Sequence, residues 1–326
     1  MLLQILSPNS RLRLFYSSSA CTKPRSSQVH NFGLKYYSSH ARAGPIDPVD
    51  LDYLEQIPEN GNNTEGALVI LHGLFGSKRN WSSLSKVFSR HLGVPVYALD
   101  LRNHGSSPHA LPMSYTAMAT DVMHFIEKKN LSKISLLGHS MGGKVAMTLA
   151  LNPSLPPSVL QNLIVADIAP VPAHLSSEFL LYIKAMKRIE TMRLRTRKEA
   201  EKVLTEYEKV CRADANVVLF LLTNILMPHS ELNREAYIRF RFPLKVMEDA
   251  ITEIGSFPYA PNETTWEGRT LFIKGKRSKF INHNYHQTME DFFPRMTMET
   301  LDAGHWVTPS RPNEFTQLVK TFITGE

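Results

Sequence analysis

The sequence predicts an α/β fold, with a mostly parallel central sheet, helices on both faces and a helical cap inserted after the sixth strand. Short apolar runs alternate with helical patterns along most of the chain, which is typical of a parallel sheet covered on both faces. Residues 171–265 break this alternation with helical stretches alone. Residues 138–142 place a G-x-S-x-G motif directly between an apolar run and a helix.

The composition is that of a folded protein. Of 326 residues, 43% are apolar and 21% are charged. The best candidate for a membrane span, residues 217–227, is interrupted by Thr223 and Asn224 and is shorter than the roughly 18 residues that a spanning helix needs. Two cysteines, Cys21 and Cys211, cannot supply a disulfide framework. We therefore exclude a mainly disordered chain and expect a soluble protein with no transmembrane segment.

The positive charge is concentrated at the N-terminus. The chain has 37 basic and 30 acidic residues, a net charge of +7, and residues 1–46 hold six of the basic residues and no acidic one. The remaining 31 basic and 30 acidic residues leave the body at +1. A basic, Ser-rich, acid-free leader is typical of a mitochondrial presequence, so we assign that role to residues 1–46 and expect a mitochondrial protein, in the matrix.

Two other interpretations of the leader stay open. One is a disordered extension that carries no address. The other is a basic arm for nucleic acid, which the scattered spacing of the bases disfavours. Nucleic acid is therefore not an expected partner.

Six apolar runs supply the predicted parallel strands. Each is short and bounded by turn signals, as strands buried on both faces are. An extra pair of antiparallel strands is expected to start the sheet, one of them near residues 49–56. The six runs are residues 67–71, 94–99, 133–137, 163–166, 270–273 and 298–301.

Helical periodicity fills the intervals between these runs. The predicted core helices are residues 80–92, 114–129, 141–151, 282–293 and 313–323. We assign residues 47–170 and 266–326 to the core, and residues 171–265 to a separate cap with helices over 176–198 and 198–211. The apolar stretch 217–227 has two interpretations, the lining of a pocket under the cap or a helix that is simply buried.

Ser140 is the predicted nucleophile. The glycines on either side of it allow a strained turn in which neighbouring backbones approach closely. The helix that starts after Ser140 directs its dipole at negative charge developing on the hydroxyl. A serine hydroxyl needs a base, and the chain order nucleophile, acid, histidine places that base near the C-terminus, at His305.

The acid is predicted at a less usual position. In most proteins with this order of elements the carboxylate follows the strand that corresponds to residues 270–273 here. In this chain, residues 274–288 contain no Asp or Glu, and Ser278 stands at that place instead. Asp167 ends the adjacent strand, so we assign to it the orientation of the His305 imidazole and the stabilisation of the imidazolium. A turn-forming role is the alternative for Asp167, and Asp302 is the next candidate acid.

Two loops complete the predicted site. Residues 72–76 follow the first long strand, where an oxyanion loop belongs, so the backbone N–H groups of Leu74 and Met141 are predicted to bind the oxyanion. In residues 100–106, Asp100 and His104 could be catalytic, but a turn that braces the active-site loops is the better interpretation. No G-x-G-x-x-G, P-loop or zinc spacing occurs, so no cofactor and no metal is expected.

From residue 48 to the end, these motifs resemble the α/β-hydrolase superfamily. Within it they are most similar to a branch of bacterial short-chain esterases, mitochondrial abhydrolase-domain proteins and ethanol acetyltransferases of yeast mitochondria. The branch takes its acid from a D-I-A/S-P motif, which supports Asp167. The motifs are H-G-L-F-G-S at 72–77, D-L-R-N-H-G at 100–105, G-H-S-M-G-G-K at 138–144, D-I-A-P at 167–170 and A-G-H-W at 303–306.

The resemblance implies an alcohol O-acetyltransferase that makes ethyl acetate from acetyl-CoA and ethanol. Transfer would pass through an acyl-Ser140 intermediate, with esterase and thioesterase side reactions when water is the acceptor. Acetyl-CoA would be a substrate rather than a cofactor, and the partners would be a small acyl donor and an alcohol or water. Two alternatives stay open: a short-chain carboxylesterase or thioesterase without alcohol transfer, and a non-catalytic interaction protein of the matrix.

Overall fold

The computed structural model describes residues 46–59, 61, 65–172, 177–211 and 215–325. The predicted presequence, apart from Ile46, lies outside the described residues. Within the described part of the chain, no helix is both long and apolar enough to span a membrane.

Nine strands occur in the described residues. Seven form one sheet, in the order β1-β3-β2-β4-β5-β8-β9, and the other two pair with each other. They are β1 (Tyr53–Gln56), β2 (Leu68–Leu71), β3 (Val96–Leu99), β4 (Ile134–His139), β5 (Leu160–Ala166), β6 (Ile225–Leu226), β7 (Arg239–Phe240), β8 (Arg269–Gly275) and β9 (Met296–Leu301).

The large sheet confirms the predicted fold class. β1 runs antiparallel to β3, and all other neighbours in the sheet are parallel. In the described residues one antiparallel strand precedes β2, where a pair was expected. The helical insertion therefore follows the fifth strand of this part of the chain.

Helices cover both faces of the sheet. Their bounds match the predicted helices of the core to within a few residues. They are α1 (Ser82–Leu92), α2 (Tyr115–Lys128), α3 (Met141–Ala150), α4 (Ser177–Thr191), α5 (Arg197–Cys211), α6 (Ala215–Leu222), α7 (Leu244–Asp249), α8 (Ile251–Gly255), α9 (His286–Phe292), α10 (Val307–Ser310) and α11 (Pro312–Thr324).

The core divides by strand alternation, because successive side chains of a strand point to opposite faces. In β2, Leu68 and Ile70 pack in one cluster with Phe88 of α1 and Phe315 of α11. Val69 and its alternate neighbours pack in the other cluster, on the side of α2, α3 and the helices between β5 and β8. Both faces of the sheet are thereby packed against helices.

The segment between β5 and β8, which we call the cap, consists of α4 to α8 and the small β6–β7 hairpin. The expectation that residues 171–265 hold no strand is wrong in this detail. The apolar stretch 217–227 is split because the N–H groups of Thr223 and Asn224 turn back to the carbonyls of Phe220 and Leu221 and end α6. The first half of the stretch is a helix with Val217, Val218, Leu221 and Leu222 buried, and the second half enters β6.

Candidate active site

Ser140 lies in the sharp turn between β4 and α3. Its backbone has φ 53° and ψ −119°, a strained conformation for a residue with a side chain. A Cβ on Gly138 would stand 2.2 Å from the carbonyl oxygen of Gly142. A Cβ on Gly142 would stand 2.5 Å from the carbonyl oxygens of Leu71 and His72, so the start of α3 rests directly on the end of β2.

His305 connects the serine to a carboxylate. Its Nε2 lies 2.9 Å from Ser140 Oγ, and its Nδ1 lies 2.7 Å from Asp167 Oδ2. With the Nδ1 proton donated to Asp167, Nε2 is free to accept the hydroxyl proton of Ser140. The ring of Phe280 lies 4.0 Å from the imidazole, centroid to centroid, and covers it. The three residues predicted from separate motifs form one continuous line of hydrogen bonds.

Asp167 follows the last residue of β5, with φ 53°. It is fully buried, and its Oδ1 accepts the Gly275 N–H at 2.8 Å. Its Oδ2 also accepts the hydroxyl of Ser278. The serine that stands where an acid was first sought therefore supports the carboxylate that lies beside it. Asp302 pairs with Arg277 and Arg311 on the surface, and the structure does not bring it to His305.

The two residues predicted to bind the oxyanion are Leu74, in the oxyanion loop of residues 72–76, and Met141, directly after Ser140. Both residues line the same cavity as Ser140. Among the hydrogen bonds of the described residues, none uses the Leu74 N–H, and the Met141 N–H is in the first turn of α3, where no intrahelical acceptor exists. Two backbone donors without an acceptor at one cavity are what the binding of a tetrahedral oxyanion requires.

Two buried histidines brace this loop. His72 accepts the Leu101 N–H on Nε2 at 3.0 Å, and its Nδ1 lies 2.9 Å from the Gly73 carbonyl. His104 accepts the Phe75 N–H on Nε2 at 3.3 Å. Burial lowers the pKa of both rings, that of His104 to about 3, so the rings stay neutral and keep their acceptor nitrogens.

Asp100 holds the neighbouring turn. Its carboxylate accepts the N–H groups of Lys78 at 2.6 Å and Ser106 at 2.8 Å. A Cβ on Gly105 would lie 2.1 Å from that carboxyl group, so only glycine fits there. The structure thus places Asp100 and His104 in a brace around the oxyanion loop rather than next to Ser140.

Two polar residues near the serine were not singled out from the sequence. His139 lies 3.0 Å, through Nε2, from the carbonyl oxygen of His305, and burial lowers its pKa to about 4, so a neutral ring holds the backbone of His305. Lys144 lies one turn after Ser140 and is 2% exposed. Its Nζ donates to the carbonyls of Gly255 at 3.2 Å and Ser256 at 2.7 Å, at the end of α8. Burial lowers the pKa of Lys144 to about 7.

The cavity at Ser140 is small, about 20 Å³, and mostly apolar. The core contributes Leu74 and Ile168 to its wall, and the cap contributes Phe179 and Ile254. The stretch 217–227 is not part of this lining. It is not simply a buried helix either, because Leu219 and Met227 are exposed and residues 225–226 form a strand. Among the described residues, no group of three His, Cys, Asp or Glu side chains could hold a metal ion.

The chain is similar to known proteins in both sequence and fold. A family model described as the α/β hydrolase fold matches residues 66–312. The chain is 37% identical to a probable alcohol acetyltransferase of Saccharomyces cerevisiae, over 78% of the chain and 76% of that protein. It is 34% identical to the sn-1-specific diacylglycerol lipase ABHD11 of Mus musculus, over 81% of the chain and 83% of the relative. A solved marine microorganism esterase superimposes with a TM-score of 0.73 and 32% identity, covering 84% of the chain and 99% of the esterase.

Proposed function

We propose that the chain, which belongs to the α/β-hydrolase fold family, is a serine-dependent acyltransferase for short acyl groups. The donor would be a thioester such as acetyl-CoA, and the acceptor a small alcohol such as ethanol, giving ethyl acetate. The observation that carries the proposal is the unbroken line of hydrogen bonds from Asp167 through His305 to Ser140, which ends at a small apolar cavity lined in part by the cap.

The mechanism follows from these contacts. His305 Nε2 takes the proton of Ser140 as Oγ attacks the acyl carbonyl, and Asp167 stabilises the imidazolium that forms. The oxyanion of the tetrahedral intermediate binds to the N–H groups of Leu74 and Met141. His305 then gives its proton to the leaving thiolate, and acyl-Ser140 remains. An alcohol then passes its proton to His305 and attacks the acyl group. The bond to Ser140 Oγ breaks, His305 returns the proton to Oγ, and the ester leaves; with water as the acceptor, the acid leaves instead.

The size of the cavity supports a short acyl group. A volume of about 20 Å³ takes little more than one water-sized group, for which roughly 10–15 Å³ is needed. The methyl of an acetyl group is of this size, whereas a long acyl chain would require the cap to move. Relatives named alcohol acetyltransferase support the same choice.

Hydrolysis of an ester or thioester is the second candidate, because other relatives are named diacylglycerol lipase and esterase. The two activities share every step up to acyl-Ser140 and differ in the acceptor. Measurement of the products therefore distinguishes the two activities, whereas substitution of the site residues does not.

The test incubates the purified full-length chain with acetyl-CoA and ethanol, and measures ethyl acetate and acetate together. Ethyl acetate rising with ethanol is the expected result, and acetate alone at high ethanol would establish the hydrolase instead. Ser140→Ala is the matched control, with a loss of both products of about 10⁴-fold or more. If neither product forms and a fluorophosphonate does not label Ser140, the chain is a non-catalytic member of the family.

A further inference from the structure

Phe75 joins the oxyanion loop to the cap. It follows Leu74 directly and has φ 61°, a left-handed conformation that residues with a side chain adopt only when the surroundings hold them there. Its ring packs on two cap residues, Phe242 at 5.4 Å and Phe179 at 6.3 Å between centroids. The residue next to a predicted oxyanion donor is therefore held partly by the cap.

Hydrogen bonds fix Phe75 on both sides. On the core side its N–H donates to His104 Nε2 at 3.3 Å. On the cap side its carbonyl accepts the side-chain Nδ2 of Asn224 at 2.7 Å. Because a carbonyl can only accept, the nitrogen of the Asn224 amide must be the atom that faces it. The Phe75–Gly76 peptide, whose carbonyl Asn224 holds, also donates its Gly76 N–H to the Gly73 carbonyl at 2.9 Å. That carbonyl belongs to the peptide that carries the Leu74 N–H, so the contact with Asn224 restrains this peptide too.

Asn224 is itself fixed within the cap. It is 1% exposed, and its own N–H bonds to the carbonyl of Leu221 at the end of α6. Its carbonyl accepts the N–H of Arg241, directly after β7, at 3.0 Å. The side chain therefore transmits the position of both α6 and the β6–β7 hairpin to Phe75.

We propose that Asn224 is a positioning residue that couples the seating of the cap to the oxyanion hole. When the cap is seated, the Asn224 amide holds the Phe75 carbonyl, and the Leu74 N–H is aimed at the developing oxyanion. The proposal rests on the proposed acyl chemistry at Ser140 but is the same for transfer and for hydrolysis.

Asn224→Asp tests it, because the carboxylate keeps the shape of the side chain and replaces the donor by an acceptor that repels the Phe75 carbonyl. We expect kcat for p-nitrophenyl acetate to fall by about 10- to 100-fold while KM changes by less than about threefold, since an oxyanion donor acts in the transition state. Affinity for a trifluoromethyl ketone, which forms a tetrahedral oxyanion on Ser140, should fall in parallel with kcat.

Asn233 provides the matched control. It is another buried cap asparagine, 4% exposed, and its Nδ2 donates to carbonyls of Leu226, Met227 and Tyr237, all within the cap. Asn233→Asp should lower the melting temperature and leave kcat and ketone affinity near their wild-type values. Asn224→Ala, which removes the donor without adding a charge, should behave like Asn224→Asp and decides the matter if the aspartate variant does not fold.

The outcomes separate this inference from the proposed function. Equal kcat and ketone affinity in the Asn224 and Asn233 variants would overturn the coupling while leaving the chemistry at Ser140 intact. A wild-type chain that neither turns over the ester nor reacts with a fluorophosphonate would overturn the proposed function itself.

Discussion

The strand ends of the core and the cap contribute to the site in different ways. Every group proposed for the chemistry closely follows the end of β2, β4, β5 or β9, and two of these residues, Ser140 and Asp167, have φ 53°. The cap supplies walls and braces, such as Ile254 at the cavity and Asn224 at Phe75. The residues proposed for the chemistry thus stand on the ends of one sheet, while the cavity wall and the alignment of the oxyanion loop also depend on a segment that packs against it.

The largest loss of activity is expected from substitution of Asp167, the predicted acid at the strand ends of the core. Asp167→Asn keeps the shape of the side chain but no longer holds His305 in the productive tautomer. We expect kcat/KM to fall by about 10³- to 10⁴-fold, with the melting temperature little changed. Steady-state kinetics and circular dichroism check both parts.

Asp302→Asn is the control for this variant, because Asp302 bonds to Arg277 and Arg311 at the surface and should leave kcat/KM within about threefold of wild type. Adding Ser278→Asp to Asp167→Asn should recover part of the loss, since Ser278 already touches the carboxylate that contacts His305. Loss of activity in Asp302→Asn rather than in Asp167→Asn would reverse the assignment of the acid.

Lys144 connects the core to the cap, and its substitution should change how the free energy of unfolding depends on pH. Burial lowers its pKa to about 7, against about 10.4 in an unfolded chain, so the unfolded state binds the extra proton between these pH values. The free energy of unfolding of the wild type should therefore rise with pH from about 7 to 10 relative to Lys144→Met, by up to about 1.4 kcal/mol per pH unit.

Denaturant unfolding of both proteins at pH 7 and pH 9 measures this difference. Lys187→Met is the control, because Lys187 pairs with Glu248 in a partly exposed position and has no such burial. A pH-independent difference between wild type and Lys144→Met would show that the amine is not desolvated under the cap.

The smallest loss of activity is expected from substitution of Ser278, which donates a hydrogen bond to the predicted acid, Asp167. Ser278→Ala removes one of the donors to Asp167 and leaves the Gly275 N–H and His305 in place. A hydrogen bond to a charged group contributes about 1.5–3 kcal/mol. Because the Gly275 N–H and His305 still stabilise the carboxylate, the loss should lie at the lower end of this range. We therefore expect kcat/KM to fall by about 10-fold. An effect as large as that of Asp167→Asn would mean that Ser278 acts in the reaction itself.

Much of the core could be predicted because buried strands and helix starts leave local patterns. β2, β3 and β4 begin within two residues of the predicted runs, and Ser140 is marked by its flanking glycines. The strands and Ser140 are local features, because each depends on a few consecutive residues. Asp167 is predicted by elimination instead, since the distant residues 274–288 contain no carboxylate.

The cap contacts could not be predicted, because their partners are distant in sequence. Asn224 looked like a polar interruption of an apolar stretch, and its acceptor, Phe75, is 149 residues away. Lys144 looked like part of a helix start, and the carbonyls it contacts lie 111 and 112 residues away. The two-residue strands β6 and β7 are too short to show a period.

The close contact at Gly142 limits how this site can be redesigned. Backbone atoms of α3 rest on the last carbonyls of β2 with no side chain between them, and a Cβ on Gly142 would stand 2.5 Å from those carbonyl oxygens. Any side chain at this position would therefore push the turn that carries the nucleophile away from the oxyanion loop. For protein engineering, Gly142 is a position to leave unchanged while the apolar residues around it are varied.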